Sequence, residues 1–214
     1  LPAFVADKFK KSRIVVFSSG NIYPITPVAG GGCDENCRPL PNGEYAMSCL
    51  ARERAFEYAA NAYGTKVFTY RLNFAVDLRY GVLYDLAEKI IKGEPISLST
   101  PCFNFIWQGS ANEIALRGLL YAESPAKIVN VTGPETVSIE KAAKELGGYL
   151  GKEPIFENDN GTDAYLNDAS LAAELFGYPS VSAKTLIRWQ AEWILDGGRS
   201  LNKPTHFEER KGNY

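Results

Sequence analysis

Two side chains in this sequence are placed to meet on one substrate oxygen. The run Arg13-Ile14-Val15-Val16-Phe17-Ser18 is short, continuous and rich in β-branched residues, and it breaks into Ser18-Ser19-Gly20-Asn21-Ile22-Tyr23. Tyr45 lies at the start of a helix-favouring stretch over residues 44–63. Side chains at the carboxyl end of a parallel strand face the ligand crevice of an open α/β sheet, so a serine there and a tyrosine on the next helix can converge. For hydride transfer to or from a carbinol, the phenol acts as general acid or base and the serine hydroxyl orients the oxygen, while a nicotinamide carries the hydride. Each residue also has an ordinary use, the serine as a turn-former and the tyrosine as a packing side chain on a helix face.

The surrounding pattern supplies elements that could hold such a pair. Leu1, Phe4, Val5 and Phe9 recur at helical spacing ahead of the first strand. Residues 24–43 contain Gly30-Gly31-Gly32 and several prolines, so they predict an irregular loop over the strand end. The loop lacks the Gly-Lys-Ser/Thr of a phosphate loop. A second β-branched strand is expected over residues 65–72, after the Gly64 stop. Strand, loop, long helix and strand make a βαβ unit. Beyond Asn73 shorter elements alternate: helix 83–92, strands 96–98 and 103–107, helix 111–122, strand 127–131, and helix 138–150 with a capping serine. Two more helices are expected over residues 167–176 and 183–195. A smaller mixed lobe is the simplest account of this second part.

With 214 residues, 45% of them hydrophobic, the chain can bury a full core. Its formal net charge of -2, with both signs mixed along the sequence, gives no field suited to nucleic acid or anionic membrane. No stretch approaches the roughly 20 apolar residues of a membrane span, and no signal peptide opens the chain. The sequence begins at Leu1, so a natural N-terminus with any targeting signal can lie outside it. Cys33, Cys37, Cys49 and Cys102 are too few for a disulfide framework, and a reducing, cytoplasmic setting is expected. Cys33 and Cys37 could form half a metal site. With no second pair and His206 as the single histidine, a plain loop is the expectation and no metal is assigned. A serine hydrolase would need His206 near Ser19, yet His206 lies in a polar tail with no sequence reason to meet it.

The run Val15-Val-Phe-Ser-Ser-Gly-Asn-Ile-Tyr23 resembles the strand-end motif of the NAD-dependent epimerase/dehydratase family, extended short-chain dehydrogenase/reductases, and Ser19 falls on its catalytic serine. Tyr45-Ala-Met-Ser-Cys49-Leu-Ala-Arg-Glu53 is similar to the family's Tyr-x-x-Ser-Lys helix, including a glutamate four positions after the lysine place. Tyr70-Arg-Leu-Asn73, Asn130-Val-Thr-Gly133 with Val137-Ser138-Ile139, and Asp168-Ala-Ser-Leu171 resemble later family segments in the same order. The resemblance implies an α/β fold, a doubly wound parallel Rossmann-type sheet of which the C-terminal half is present, with a smaller substrate lobe. Residues 1–76 would be the second half of the dinucleotide-binding domain, and residues 77–214 mainly the substrate lobe, with segments returning to the core. It implies NAD or NADP as cofactor and a sugar or sugar-nucleotide substrate, and it raises the expectation of a homodimer. Tyr45 and Ser19 are then catalytic. Ser18, Tyr45, Cys49, Arg52, Asn73 and Phe74 fall at cofactor-binding places, and Ser19, Gly20, Asn21, Arg79 and Tyr80 at substrate-binding ones.

The sequence departs from that pattern in four places. The family's Gly-x-x-Gly-x-x-Gly turn, which seats a pyrophosphate at a helix N-terminus, does not occur before Arg13, so the chain is expected to be part of a longer protein. The lysine that binds ribose and lowers the tyrosine pKa is replaced by Cys49; Arg52, two helical turns after Tyr45, could supply the cation if it bends back. Phe103 stands where the family's nucleotide-sugar enzymes carry a diphosphate-binding arginine, and Gly109 and Ser110 lie where an acidic residue usually follows. Asn73-Phe-Ala-Val-Asp77 replaces Asn-x-Tyr-Gly-Pro, displaced by one. The first expectation is an epimerase, dehydratase or reductase. The rival is a cofactor-binding protein with weakened catalysis that works as a sensor or interaction module.

Overall fold

A computed structural model describes residues 1–158, 161–203 and 205–212. In chain order it contains helix α1 (Pro2–Lys8), strand β1 (Arg13–Ser19), a 3-10 turn at Gly20–Ile22, β2 (Thr26–Pro27) and a second 3-10 turn at Val28–Gly30. Helix α2 (Gly43–Tyr63), β3 (Lys66–Leu72), β4 (Ala75–Val76), α3 (Val82–Lys92) and β5 (Pro95–Ser97) follow. Next come β6 (Cys102–Phe103), β7 (Ile106–Trp107), α4 (Gln108–Gly118), a 3-10 turn at Leu119–Tyr121 and β8 (Lys127–Val131). The remainder is β9 (Val137–Ser138), α5 (Ile139–Leu150), β10 (Ile155–Glu157), β11 (Asp163–Ala164), α6 (Ser170–Phe176) and α7 (Ala183–Leu195).

The central sheet is parallel with order β1-β3-β8. Successive strand residues face opposite sides, and both sides are covered, which is why the strands read as near-continuous apolar runs. Val16 and Val67 pack with Ala6 of α1 and Phe56, Ala59 and Ala60 of α2. Phe68, Tyr70, Val129 and Val131 pack on the other side with Ile114 of α4 and Phe176 of α6. Helix α2 buries Ala46, Cys49, Glu53, Phe56 and Ala60, a spacing of three and four residues that defines one face. It stops at Gly64, whose φ of 68° is left-handed and favours glycine.

A second core lies beyond the sheet, where α3, α5 and α7 pack through Leu83, Leu86, Ile90, Ile139, Leu146, Leu186 and Ile187. Ser138 caps α5 through its hydroxyl, as the sequence predicts. Three expectations need correction. The strand expected over residues 103–107 is two short strands: Cys102–Phe103 pairs with β9 and Ile106–Trp107 with β4. Asn104 between them turns inward and joins a buried amide cluster instead of extending a ladder. The helix expected from 167 begins at Ser170, because the Asp168 carboxylate accepts the Ser170 amide at 2.8 Å and holds the preceding turn. The helix expected over 111–122 starts at Gln108 and ends as a 3-10 turn. Trp189, expected to pack α7 onto the body, meets Trp107 edge to face with ring centres 6.0 Å apart.

Candidate active site

Ser19 closes β1 and caps the 3-10 turn that follows, its hydroxyl accepting from the Asn21 amide at 3.2 Å. That turn requires Gly20. A Cβ there would lie 2.6 Å from Asn167 Oδ1 and 3.0 Å from Asn73 Cβ, both on buried residues. Tyr45 occupies the first turn of α2 and shares a hydrogen bond with Ser19. Its ring is 46% exposed, whereas its phenol is turned in against the strand end and desolvated.

Desolvation is the largest influence on Tyr45 and pushes its pKa above the ordinary phenol value. The Ser19 hydrogen bond opposes this, the neighbouring Cys49 thiol adds to the rise, and the Arg52 charge works against it. Arg52 does bend back along α2. Its Nη1 donates to the Phe17 carbonyl at 2.6 Å and its Nη2 to Cys49 Sγ at 3.8 Å, so the guanidinium lies against the Cys49 sulfur.

These residues open on a cavity of about 570 Å³. Ser18, Ser19, Asn21 and Tyr45 form the wall on the sheet side, and Phe74 and Tyr80 contribute from the segment entering the lobe. Ser18 Oγ is buried and has no hydrogen-bond partner among the described residues. Phe74 has a φ of 41°, a left-handed conformation that a bulky residue adopts only under constraint, at the point where the chain leaves β3. Just before it, Asn73 donates to Asn104 Oδ1 at 2.8 Å, and Asn104 donates to the Asn167 carbonyl at 2.6 Å. This amide cluster ties the sheet end to the segment containing β11.

Six of the sequence-selected residues, Ser18, Ser19, Asn21, Tyr45, Phe74 and Tyr80, therefore share one wall. Gly20, Cys49, Arg52 and Asn73 are not among the residues that line it. Arg79 stands apart, its guanidinium paired with Asp77 at 2.9 and 3.0 Å. His206 is the main surprise: it lines the same cavity as Ser19, contrary to its reading as an unconnected tail residue, and Lys203, Thr205, Phe207 and Glu209 line it too. Sequence reasoning missed them because only long-range contacts bring residues 199–212 back. Gln108 and Tyr165 were also missed; Gln108, a polar residue directly after β7, had a positional signal.

The glutamate after the lysine place has a structural partner. Glu53 accepts from Arg71 Nε at 2.9 Å and from Nη2 at 2.8 Å, with both side chains almost fully buried. Arg71 Nη1 also donates to Tyr23 Oη at 2.5 Å, and Tyr23 donates to Asn130 Oδ1 at 2.9 Å. Burial pushes the Tyr23 phenol up to about 12, against the pull of Arg71, so it remains protonated. Among the described residues no group of three or more histidine, cysteine or acidic side chains could hold a metal ion.

No protein-family model and no curated protein sequence matches this chain. Solved structures do. A UDP-glucuronic acid 4-epimerase from Bacillus cereus in complex with NAD aligns with a TM-score of 0.75 and 17% identity, covering 91% of this chain and 66% of that one. A UDP-N-acetylglucosamine 4-epimerase from Bacillus cereus aligns at 0.72 and 16%, covering 90% and 70%. The enzyme WbmH of Bordetella bronchiseptica in complex with NAD+ aligns at 0.72 and 19%, covering 92% and 67%. This chain spans about two thirds of their lengths. The likeness shows the fold: an α/β protein whose parallel sheet is of the Rossmann type seen in these enzymes. Among the described residues no helix is long and apolar enough to cross a membrane.

Proposed function

We propose that this chain is the catalytic and substrate-binding part of an NAD(P)-dependent oxidoreductase of the extended short-chain dehydrogenase/reductase type, acting on a sugar-like hydroxyl or the corresponding carbonyl. Residues 1–76, with β8 added to their sheet, would carry the second half of the cofactor domain, and most of residues 77–214 the substrate lobe. The observation that carries the reading is the hydrogen bond between Tyr45 and Ser19 at the wall of a cavity flanking the carboxyl end of a parallel sheet. That is the position from which a phenol passes a proton to a substrate oxygen held by a serine.

The residues fit the nicotinamide end of the cofactor. Ser18 lines the cavity with its hydroxyl buried and unpartnered among the described residues, and Arg52 brings a cation to the helix face where a ribose-binding lysine would stand. Asn73 and Phe74 lie behind and beside that space. The pyrophosphate end has no counterpart, since no Gly-x-x-Gly-x-x-Gly turn occurs in residues 1–214. When bound, the cofactor supplies or accepts the hydride. Ser19 orients the reacting oxygen. Tyr45, protonated at neutral pH as an ordinary phenol is and kept so by its raised pKa, is suited to donating a proton to a carbonyl oxygen, the reducing direction.

The replacement of lysine by Cys49, together with the upward shift of Tyr45, favours a second reading as a cofactor-binding sensor with weak turnover. Tyr45→Phe in the intact protein separates the two. The oxidoreductase reading expects turnover to fall by about a hundredfold or more while NAD affinity, followed by tryptophan fluorescence, stays within about twofold. Turnover that survives the substitution sinks the assignment of Tyr45, and absence of any NAD or NADP binding sinks the nicotinamide reading.

A further inference from the structure

Six residues that line the cavity, Leu201, Lys203, Thr205, His206, Phe207 and Glu209, come from the chain after α7. The described residues of this segment form a strap along the cavity, held at several points. The Leu201 amide donates to the Arg79 carbonyl at 3.0 Å. Thr205 bonds to Asp85 of α3 through both its amide and its hydroxyl, and Lys89 pairs with Glu208 at 2.6 Å. Phe207 is 6% exposed and belongs to the lobe core. Arg210 donates to the Ser99 and Asp163 carbonyls at 2.9 Å and pairs with the Asp163 carboxylate. Leu201, Thr205, Phe207, Glu208 and Arg210 thus each tie the strap to the body of the protein and make it a fixed wall.

The charges on that wall are unevenly used. Arg79, Lys89 and Arg210 are each paired with a carboxylate. Lys203 lines the cavity and has no carboxylate or carbonyl partner among the described residues, and the His206 ring beside it in the strap likewise has none. Glu209 also lines the cavity, with its carboxylate accepting the Lys211 amide at 2.5 Å. The place where the resemblance would put a diphosphate-binding arginine is filled by Phe103. That ring is 1% exposed, stacked on Phe105 at 4.7 Å and set edge-on to Phe74, so it belongs to the core and offers no cation. Finally, the nicotinamide ring must share this cavity with the substrate.

We infer that the substrate is a small polyhydroxylated anion, about the size of one sugar ring and not linked to a nucleotide, whose carboxylate or phosphate is held by Lys203 and His206 of the C-terminal strap. This rests on the oxidoreductase reading of the same cavity. The oxygen to be oxidised or reduced lies at Ser19 and Tyr45, and the anionic group at the strap, so the two ends of the substrate are fixed by different segments of the chain. The cation that specifies the substrate is then supplied from a different part of the chain than residue 103.

The test is calorimetric titration of the intact protein, with and without saturating NAD, using glucuronate, glucose 6-phosphate, glucose and UDP-glucose as probes. One of the two small anions should bind about ten- to a hundredfold more tightly than glucose, the strength of a charge-assisted contact, and whichever does so identifies carboxylate or phosphate as the group recognised. Lys203→Met should abolish that preference without altering glucose or NAD affinity, and Lys203→Arg should keep most of it. The inference is overturned if UDP-glucose outcompetes both small anions, if neither anion exceeds glucose, or if Lys203→Met leaves the preference intact. The NAD titration on the same samples keeps the two readings apart. Anion preference without cofactor binding would defeat the oxidoreductase assignment alone.

Discussion

A phenol that must take a proton from a carbinol works against its own pKa. An ordinary phenol near 10 is ionised at neutral pH to roughly one part in a thousand, and desolvation lowers that fraction further for Tyr45. Arg52 pulls the other way, but its guanidinium is shared with the Phe17 carbonyl and Cys49. Oxidative turnover is therefore expected to rise with pH, tenfold per unit, without a plateau below about pH 10, while the reducing direction stays flat over the same range. Cys49→Lys places a cation one turn from Tyr45 and should lower its pKa by about 1–3 units, moving the rise toward neutral and speeding oxidation at pH 7 by about ten- to a thousandfold. Arg52→Met should displace it upward. Superimposable pH-rate profiles for wild type and Cys49→Lys would show that this helix position has no hold on Tyr45.

At the scale of elements, α2 is positioned by a charged contact as well as an apolar one. Glu53 and Arg71 form a doubly hydrogen-bonded pair between α2 and β3, and Arg71 continues to Tyr23 and Asn130, locking helix, both strands and the turn after Ser19 together. Glu53→Ala would leave a buried guanidinium without its counter-charge, and should cost about 3–5 kcal/mol in urea unfolding. The double variant Glu53→Leu with Arg71→Met should recover much of the loss, because then no buried charge is stranded. Gly20→Ala belongs to the same scale. Its Cβ would overlap the Asn167 side chain, so a loss of about 1–3 kcal/mol is expected, with turnover falling because Ser19 shifts with the turn. The glutamate was recognisable in sequence as part of a helix motif. That its partner is Arg71 is a matter of packing, since the two lie on different elements.

The whole molecule joins two cores, one around the sheet and one among α3, α5 and α7, through the amide cluster of Asn73, Asn104 and Asn167 and through the strap. Phe207 is the strap's apolar anchor. Phe207→Ala is expected to cost about 3–5 kcal/mol in thermal or urea unfolding and to weaken substrate binding while leaving NAD affinity unchanged, since the nicotinamide end is built from the sheet. Equal loss of both affinities would mean that the strap supports the sheet end as well as the substrate wall.

The sequence by itself determined the βαβ unit, because strands covered on both faces must be continuously apolar and a long helix ending at glycine declares its own limits. It also singled out Ser19 and Tyr45, since both sit where a strand or helix end delivers a side chain to one crevice. Local patterning was a poorer guide between residues 99 and 110, where two-residue strands give no period to read and Asn104 turns inward for a partner 63 residues away. It said nothing of the far wall of the cavity. Lys203, His206 and Glu209 acquire a place only because Thr205, Phe207, Lys89 with Glu208, and Arg210 bind the last segment to distant elements, and contacts of such separation leave no local trace in the chain.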